Sequence, residues 1–210
     1  MQTLLALNTS MFSTGGQSSR LADSFVAAWR ASHPGAAVIT RDLGRDPVPH
    51  LSAERFQAFL AQPGSRTPAQ QAAVDFSDEL IGELKRADVI VLGLPMYNFG
   101  VPSTLKSYFD HVARAGVTFH YTANGPAGLL TGKKAYVFAT RGGQYAGTPM
   151  DTQTGFVRNF LRFIGIADVE FIYAEGLAMG EASKSNALAR AQAELADLAA
   201  ERVAAEPLAA

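Results

Sequence analysis

The chain has 210 residues, no cysteine, a net charge of −1, and 48% hydrophobic against 18% charged residues. That composition is globular and sufficient for one α/β domain with a buried sheet, so a single domain over 1–210 is expected. Near-neutral charge excludes an electrostatic footprint for nucleic acid or an anionic membrane, and the lack of cysteine excludes disulfides, thiolate metal sites and dithiol redox chemistry.

The N-terminal run has no basic stretch and is too short for a signal peptide. Nothing later approaches a membrane span, so a cytoplasmic location is the expectation. Five short apolar runs fit buried strands: Thr3 to Leu7, Ala37 to Thr40, Val89 to Leu94, Ala135 to Ala139 and Val169 to Tyr173. They are nearly continuous in apolar residues rather than alternating, the pattern of a sheet covered on both faces. Between the first two, Leu21, Phe25 and Trp29 form one helical stripe that stops at His33-Pro34-Gly35. The 44–67 segment, richer in Pro and Gly, reads as an insertion with a short helix around Arg55 to Leu60. A helix over 68–86 opens with Thr67-Pro68-Ala69-Gln70, a capping-box spacing with Pro at its first position. Another follows Pro102 and turns Leu105, Phe109 and Val112 inward. A further helix covers 153–164, and an Ala-rich one runs from Lys184 to Ala204 with Leu188, Leu195 and Leu198 as its packing face. Strand–helix alternation predicts a five-stranded parallel sheet in the order 2-1-3-4-5 with helices on both faces.

In such sheets ligands bind beyond the carboxyl ends of the strands, where three loops fall here. The first, Asn8 to Ser19, is dense in hydroxyls and runs straight into a helix. A terminal monophosphate there would meet free backbone amides at the positive end of the helix dipole. The loop has neither a G-x-x-x-x-G-K-[ST] nor a G-x-G-x-x-G pattern, which disfavours a nucleoside triphosphate or a tightly held dinucleotide. Its other reading is a Ser/Thr/Gly turn with a helix cap. The second loop, Leu94 to Pro102, places Met96, Tyr97 and Phe99 where a chain leaving the core should turn polar. They fit the wall of an apolar ring system, or else simply pack beneath the loop. The third, Thr140-Arg141-Gly142-Gly143-Gln144-Tyr145, offers unobstructed amides that can stabilise negative charge on a reduced ring, or forms a plain flexible turn.

With those residues in view, the chain resembles the bacterial FMN-dependent NADH:quinone oxidoreductase/azoreductase family, which has the flavodoxin-like fold. The resemblance covers nearly the whole length. Its most specific stretches are Pro95-Met96-Tyr97-Asn98-Phe99, Leu105-Lys106-Ser107-Tyr108-Phe109-Asp110 and Val112-Ala113-Arg114-Ala115-Gly116-Val117-Thr118-Phe119. Asn124-Gly125-Pro126, Gly132-Lys133-Lys134, Arg141-Gly142-Gly143 and Phe163-Ile164-Gly165-Ile166 add to it. The resemblance implies bound FMN, NADH or NADPH as electron donor, quinones or azo compounds as acceptors, a ping-pong cycle, and a homodimer with the site at its interface. It implies phosphate contacts from Ser10, Gly16, Gln17 and Ser18. Ring contacts would come from Met96, Tyr97, Asn98, Phe99, Thr140, Arg141, Gly142 and Gly143, and a substrate wall from Phe119, Tyr121 and Phe163. No side chain is assigned covalent catalysis, because the flavin carries the chemistry. The 50–68 insertion and Gln144-Tyr145-Ala146-Gly147 depart most from the family pattern, which leaves substrate preference open.

Three other readings compete. A flavodoxin-type electron carrier without its own substrate would be expected to show a strongly acidic docking face, which a net charge of −1 does not supply. A flavin-free scaffold leaves the aromatic loop unexplained. A hydrolase lacks a G-x-S-x-G elbow, and His33, His50, His111 and His120 have no metal-ligand spacing. Among them His120 is the one candidate cleft residue, His33 is placed at a helix end, and His111 outward or at a dimer contact. Arg114 and Lys106 read as helix-surface charges.

Overall fold

The computed structural model describes residues 2–205 of the chain. The five apolar runs are strands: β1 (Thr3–Asn8), β2 (Ala37–Asp42), β3 (Val89–Pro95), β6 (Lys134–Thr140) and β7 (Asp168–Ala174). All pair in parallel, in the order β2-β1-β3-β6-β7, which is 2-1-3-4-5 when only the strands of this sheet are counted. In register, Leu5 lies between Ile39 and Ile90, and Ala135 between Ile90 and Val169. A short antiparallel hairpin, β4 (Phe119–Thr122) and β5 (Gly125–Gly128), stands apart and was not expected.

Alternate strand residues serve two cores because successive side chains leave a strand on opposite faces. Leu4, Ala6, Val91, Phe138 and Ile172 pack against α1 (Gln17–Ser32) and α6 (Glu181–Ala205), with Phe25 wedged 4.6 Å from Tyr136. Leu5, Leu7, Ile90, Leu92 and Val137 pack against α3 (Pro68–Arg86), α4 (Ser103–Val112) and α5 (Thr152–Phe163). The 44–67 insertion carries α2 (Ala53–Leu60), whose Ala58 packs on Ala73 and Val74 of α3. Among the described residues no helix is long and apolar enough to cross a membrane, and no group of His, Cys, Asp or Glu is arranged to hold a metal.

The capping box read at α3 is present in full: the Thr67 hydroxyl accepts from the Gln70 amide at 3.3 Å and Gln70 Oε1 accepts from the Thr67 amide at 2.9 Å. Thr67→Ala is expected to cost about 1 kcal/mol, a melting point lower by roughly 2–4 °C for a chain of this size. Thermal unfolding followed by circular dichroism checks it, and an unchanged midpoint would mean that water caps this exposed turn equally well. His111 is a correction. It is fully buried, not outward, with Nδ1 on the Ser107 carbonyl at 3.0 Å and its ring edge-on to Phe59 and Phe76. Burial, as the largest effect, pulls its pKa below the ordinary histidine value. Arg114 is likewise no free surface charge: it pairs with Asp78 at 2.6 Å and lies over the Phe59 ring.

Candidate functional site

The first loop leaves β1 at Asn8 and re-enters helix at Gly16. The α1 N-terminus carries no side-chain cap, so its first amides have no partner within the helix. Ser18 and Ser19 sit there fully buried, with hydroxyls that find no hydrogen-bond partner among the described residues. Unsatisfied buried hydroxyls beside free amides and a positive dipole end form a cradle suited to an anionic acceptor. Gly16 keeps that cradle open, since a Cβ there would fall 2.6 Å from Ser10 Cβ. Gly93 lets α1 approach β3: any side chain there would place its Cβ only 3.1 Å from the Ser18 carbonyl oxygen. Ser10 accepts the Phe12 amide at 3.2 Å and meets the Tyr97 hydroxyl at 3.2 Å, joining the first loop to the second. Asp42, unremarked in the sequence, holds the loop from behind: it accepts from the Ser13 hydroxyl and from the Gly44 amide at 2.9 Å. Gln17 is half-buried at the same helix start.

The second loop is a tight turn. Tyr97 and Gly100 exchange backbone hydrogen bonds of 3.2 and 2.9 Å, and Asn98 and Phe99 between them have φ of 49° and 60°. Two consecutive positive φ values make a type I′ turn, which Asn tolerates and Phe resists. The turn leaves Asn98 and Phe99 exposed and Met96 and Tyr97 half-buried. Below it opens a cleft of about 480 Å³ that reaches Phe99, Phe156, Ser107 and His50. The His50 ring is held by Ser107 at 3.1 Å.

At the third loop Gly142 and Gly143 present amides that donate to no acceptor among the described residues, while Thr140 is buried and its carbonyl holds the Met96 amide at 2.9 Å. Arg141 departs from expectation. Its guanidinium turns inward, with no side-chain exposure, and pairs with Asp151 at 2.7 Å and Glu175 at 3.0 Å above the Tyr173 ring. An arginine so committed offers no charge to a cofactor; it shapes the loop instead. Glu175 also accepts the Tyr145 and Ala146 amides, each at 2.9 Å. Tyr145 lies edge-on to Phe99 with 5.6 Å between ring centres, so the second and third loops touch through aromatic rings.

Phe119, Tyr121 and Phe163 are brought together, but elsewhere. The Phe119 ring centre lies 4.3 Å from that of Phe163 and 5.5 Å from that of Tyr121, which is 75% exposed. Gln153, at the start of α5, touches the second loop through the Pro95 carbonyl, whereas Phe163 ends that helix. Ten helical residues separate them by about 15 Å. The chain then turns into the start of β7, so this cluster stands at the opposite edge of the sheet. Within one chain, therefore, these three rings stand apart from the three loops. His120, on the same hairpin, is exposed and equally remote from the three loops.

The model of proteins with the flavodoxin-like fold matches residues 2–199. The chain belongs to this family. Within the flavodoxin-like family it is 52% identical over 195 residues to the FMN-dependent NADH:quinone oxidoreductase of Cellvibrio japonicus, covering 93% of this chain and 97% of that protein. Identity to the protein of that name from Alcanivorax borkumensis is 55% over 192 residues, covering 91% and 97%. Among solved structures, an azoreductase from Bacillus anthracis superposes with a TM-score of 0.87 at 26% identity, over 96% of this chain and all of that one. An FMN-dependent NADH-azoreductase of the same species, solved in complex with FMN, gives 0.87 at 25% identity, over 97% of this chain and 100% of that one.

Proposed function

We propose that this chain is a single-domain oxidoreductase that holds FMN across the loops after β1, β3 and β6. In this reading it passes two electrons from NADH or NADPH to quinones or azo compounds in a ping-pong cycle. The observation that carries the reading is the uncapped α1 N-terminus, with its unpartnered Ser18 and Ser19 hydroxyls and the space that Gly16 leaves open. FMN, when bound, would supply the hydride and electron-transfer chemistry that no side chain here provides. The residues supply the rest. Ser10, Gly16, Gln17 and Ser18 receive the phosphate through neutral donors, which suit a terminal monophosphate at a helix end. Met96, Tyr97, Asn98 and Phe99 would form a wall for the ring, and the Gly142 and Gly143 amides would stabilise negative charge that builds on it. Thr140 and Arg141 act through the loop they hold.

The proposal includes a homodimer. The exposed Tyr121 and its neighbours Phe119 and Phe163 can complete an acceptor site only over the loops of a second copy. It also includes a cytoplasmic location, where reduced nicotinamide nucleotides are supplied. The test is spectroscopic: the purified protein should show the two visible flavin bands, lose them on anaerobic addition of NADH, and regain them on addition of a benzoquinone. Bands that neither NADH nor NADPH bleaches would favour an electron carrier, and a chain that takes up no FMN would end the proposal.

A further inference from the structure

The turn that would form the ring wall is held by more than its own two backbone hydrogen bonds. Its peptide carbonyls are taken by two consecutive side chains that open α5. Gln153 Nε2 donates to the Pro95 carbonyl at 2.9 Å and to the Gly100 carbonyl at 2.9 Å, and the Thr152 hydroxyl donates to the Phe99 carbonyl. Pro95 ends β3 and Gly100 closes the type I′ turn, so one amide group ties the two feet of the loop together. Gln153 has no exposure, and its Oε1 has no hydrogen-bond partner among the described residues. A buried amide with a bare oxygen is unfavourable as mere filling, which a Met or Leu of similar length would do without desolvating a polar group. The turn it ties is the strained one, with Phe99 held at a φ of 60°. The helix end that carries Gln153 is itself fixed: Asp151 caps it by accepting the Thr154 amide at 3.0 Å and pairs with Arg141 of the third loop.

We infer that Gln153 is a positioning residue: by fastening both feet of the Tyr97–Gly100 turn to α5, it sets where Phe99 and the Asn98 backbone stand in the cleft. This deepens the proposed function and rests on it for its consequence, though the fastening itself is a property of the flavin-free chain. A contact network runs from the third loop through Arg141, Asp151 and Gln153 to the second, so the two loops on either side of the ring share one support.

Gln153→Met tests this, because it keeps the length and bulk of the side chain and removes both donors. In flavin-free protein, amide hydrogen exchange at Tyr97 and Gly100 should quicken by at least tenfold while β1 and β6 amides keep their protection. In the loaded protein, FMN should bind about tenfold more weakly with an altered visible circular dichroism band, and KM for a quinone should rise more than kcat falls. Gln153→Glu, which at neutral pH retains shape but can only accept, should show the same local loosening and covers the case in which the Met variant folds poorly. Unchanged exchange at Tyr97 and Gly100 in either folded variant overturns the inference. Faster exchange with wild-type FMN affinity and spectrum would refute the positioning of the ring while leaving the fastening. If the unaltered chain itself takes up no FMN, the proposed function fails and the exchange result still decides whether Gln153 holds the turn.

Discussion

Arg141→Met is expected to lower the melting temperature by roughly 6–20 °C. Removing one partner of a buried ion pair costs about 3–5 kcal/mol, since the charges left behind are desolvated and unmatched, and each kcal/mol moves the midpoint by about 2–4 °C in a chain of this size. Here two carboxylates are stranded at once: Asp151, whose side chain is 7% exposed, and Glu175, at 16%. The acid limb should change too. Burial raises the Asp151 pKa, but hydrogen bonds from Arg141 and Thr154 outweigh it and hold the carboxyl below its ordinary value. A carboxyl depressed in the folded state stabilises the fold fully above its unfolded value of 3.8, and that stabilisation is lost as pH falls through the lower folded value. Wild-type stability should therefore fall steeply below about pH 4, and the variant should fall less steeply because Asp151 has lost the partner that depressed it. Melting curves collected across the acid range measure both effects. A midpoint within about 2 °C of wild type at neutral pH would mean that the network contributes little.

Gly16→Ala should weaken FMN binding by roughly 30- to 1,000-fold, the equivalent of about 2–4 kcal/mol. The added methyl would fall 2.6 Å from Ser10 Cβ, so the loop must shift at the proposed phosphate site, where one or two charge-assisted hydrogen bonds of about 1.5–3 kcal/mol each would be lost. Riboflavin, which lacks the phosphate, separates this cause from a general loosening. Its affinity should change by less than about threefold, since the third loop is untouched and the ring wall is reached only through the Ser10–Tyr97 contact. The ratio of FMN to riboflavin affinity, measured by flavin fluorescence titration, is thus expected to collapse. Equal losses for both ligands would place the damage in the ring site and remove the phosphate from the α1 N-terminus.

Most of the fold was legible because buried parallel strands declare themselves as short apolar runs. Ala37–Asp42 and Lys134–Thr140 merely extend those runs by a residue or two into the polar ends. The β4–β5 hairpin was missed because Gly125-Pro126-Ala127-Gly128 lacks every mark of a strand, with no alternation and no β-branched residue. Its signals were Phe119-His120-Tyr121-Thr122, rich in strand-forming residues, and Asn124-Gly125, where Gly125 takes a φ of 103°. The three loops beyond β1, β3 and β6 were readable from their chemistry, hydroxyl-rich, aromatic and glycine-rich in turn. Residues that act from a distance were not: Gln153 and Glu175 reach the loops across 53–58 and 29–34 positions of sequence. Neither belongs to a motif, and nothing in the sequence announces that a helix end or a strand end will be turned toward a loop. Arg141 misled for the opposite reason, because an arginine beside two glycines at a cleft looks like a ligand until its two acidic partners are seen.

The placement of Phe119, Tyr121 and Phe163 at the far edge of the sheet gives each chain a rim of loops at one edge and a cluster of rings at the other. In the proposed pairing every copy lends its rings and borrows another's, and turnover becomes a property of the encounter between chains. The two half-reactions then age differently on dilution. Flavin held by the loops of one chain would outlast dissociation in that pairing, while the acceptor's berth would go with the partner. Specific activity that falls with enzyme concentration at constant bound flavin would be the signature of such shared ownership.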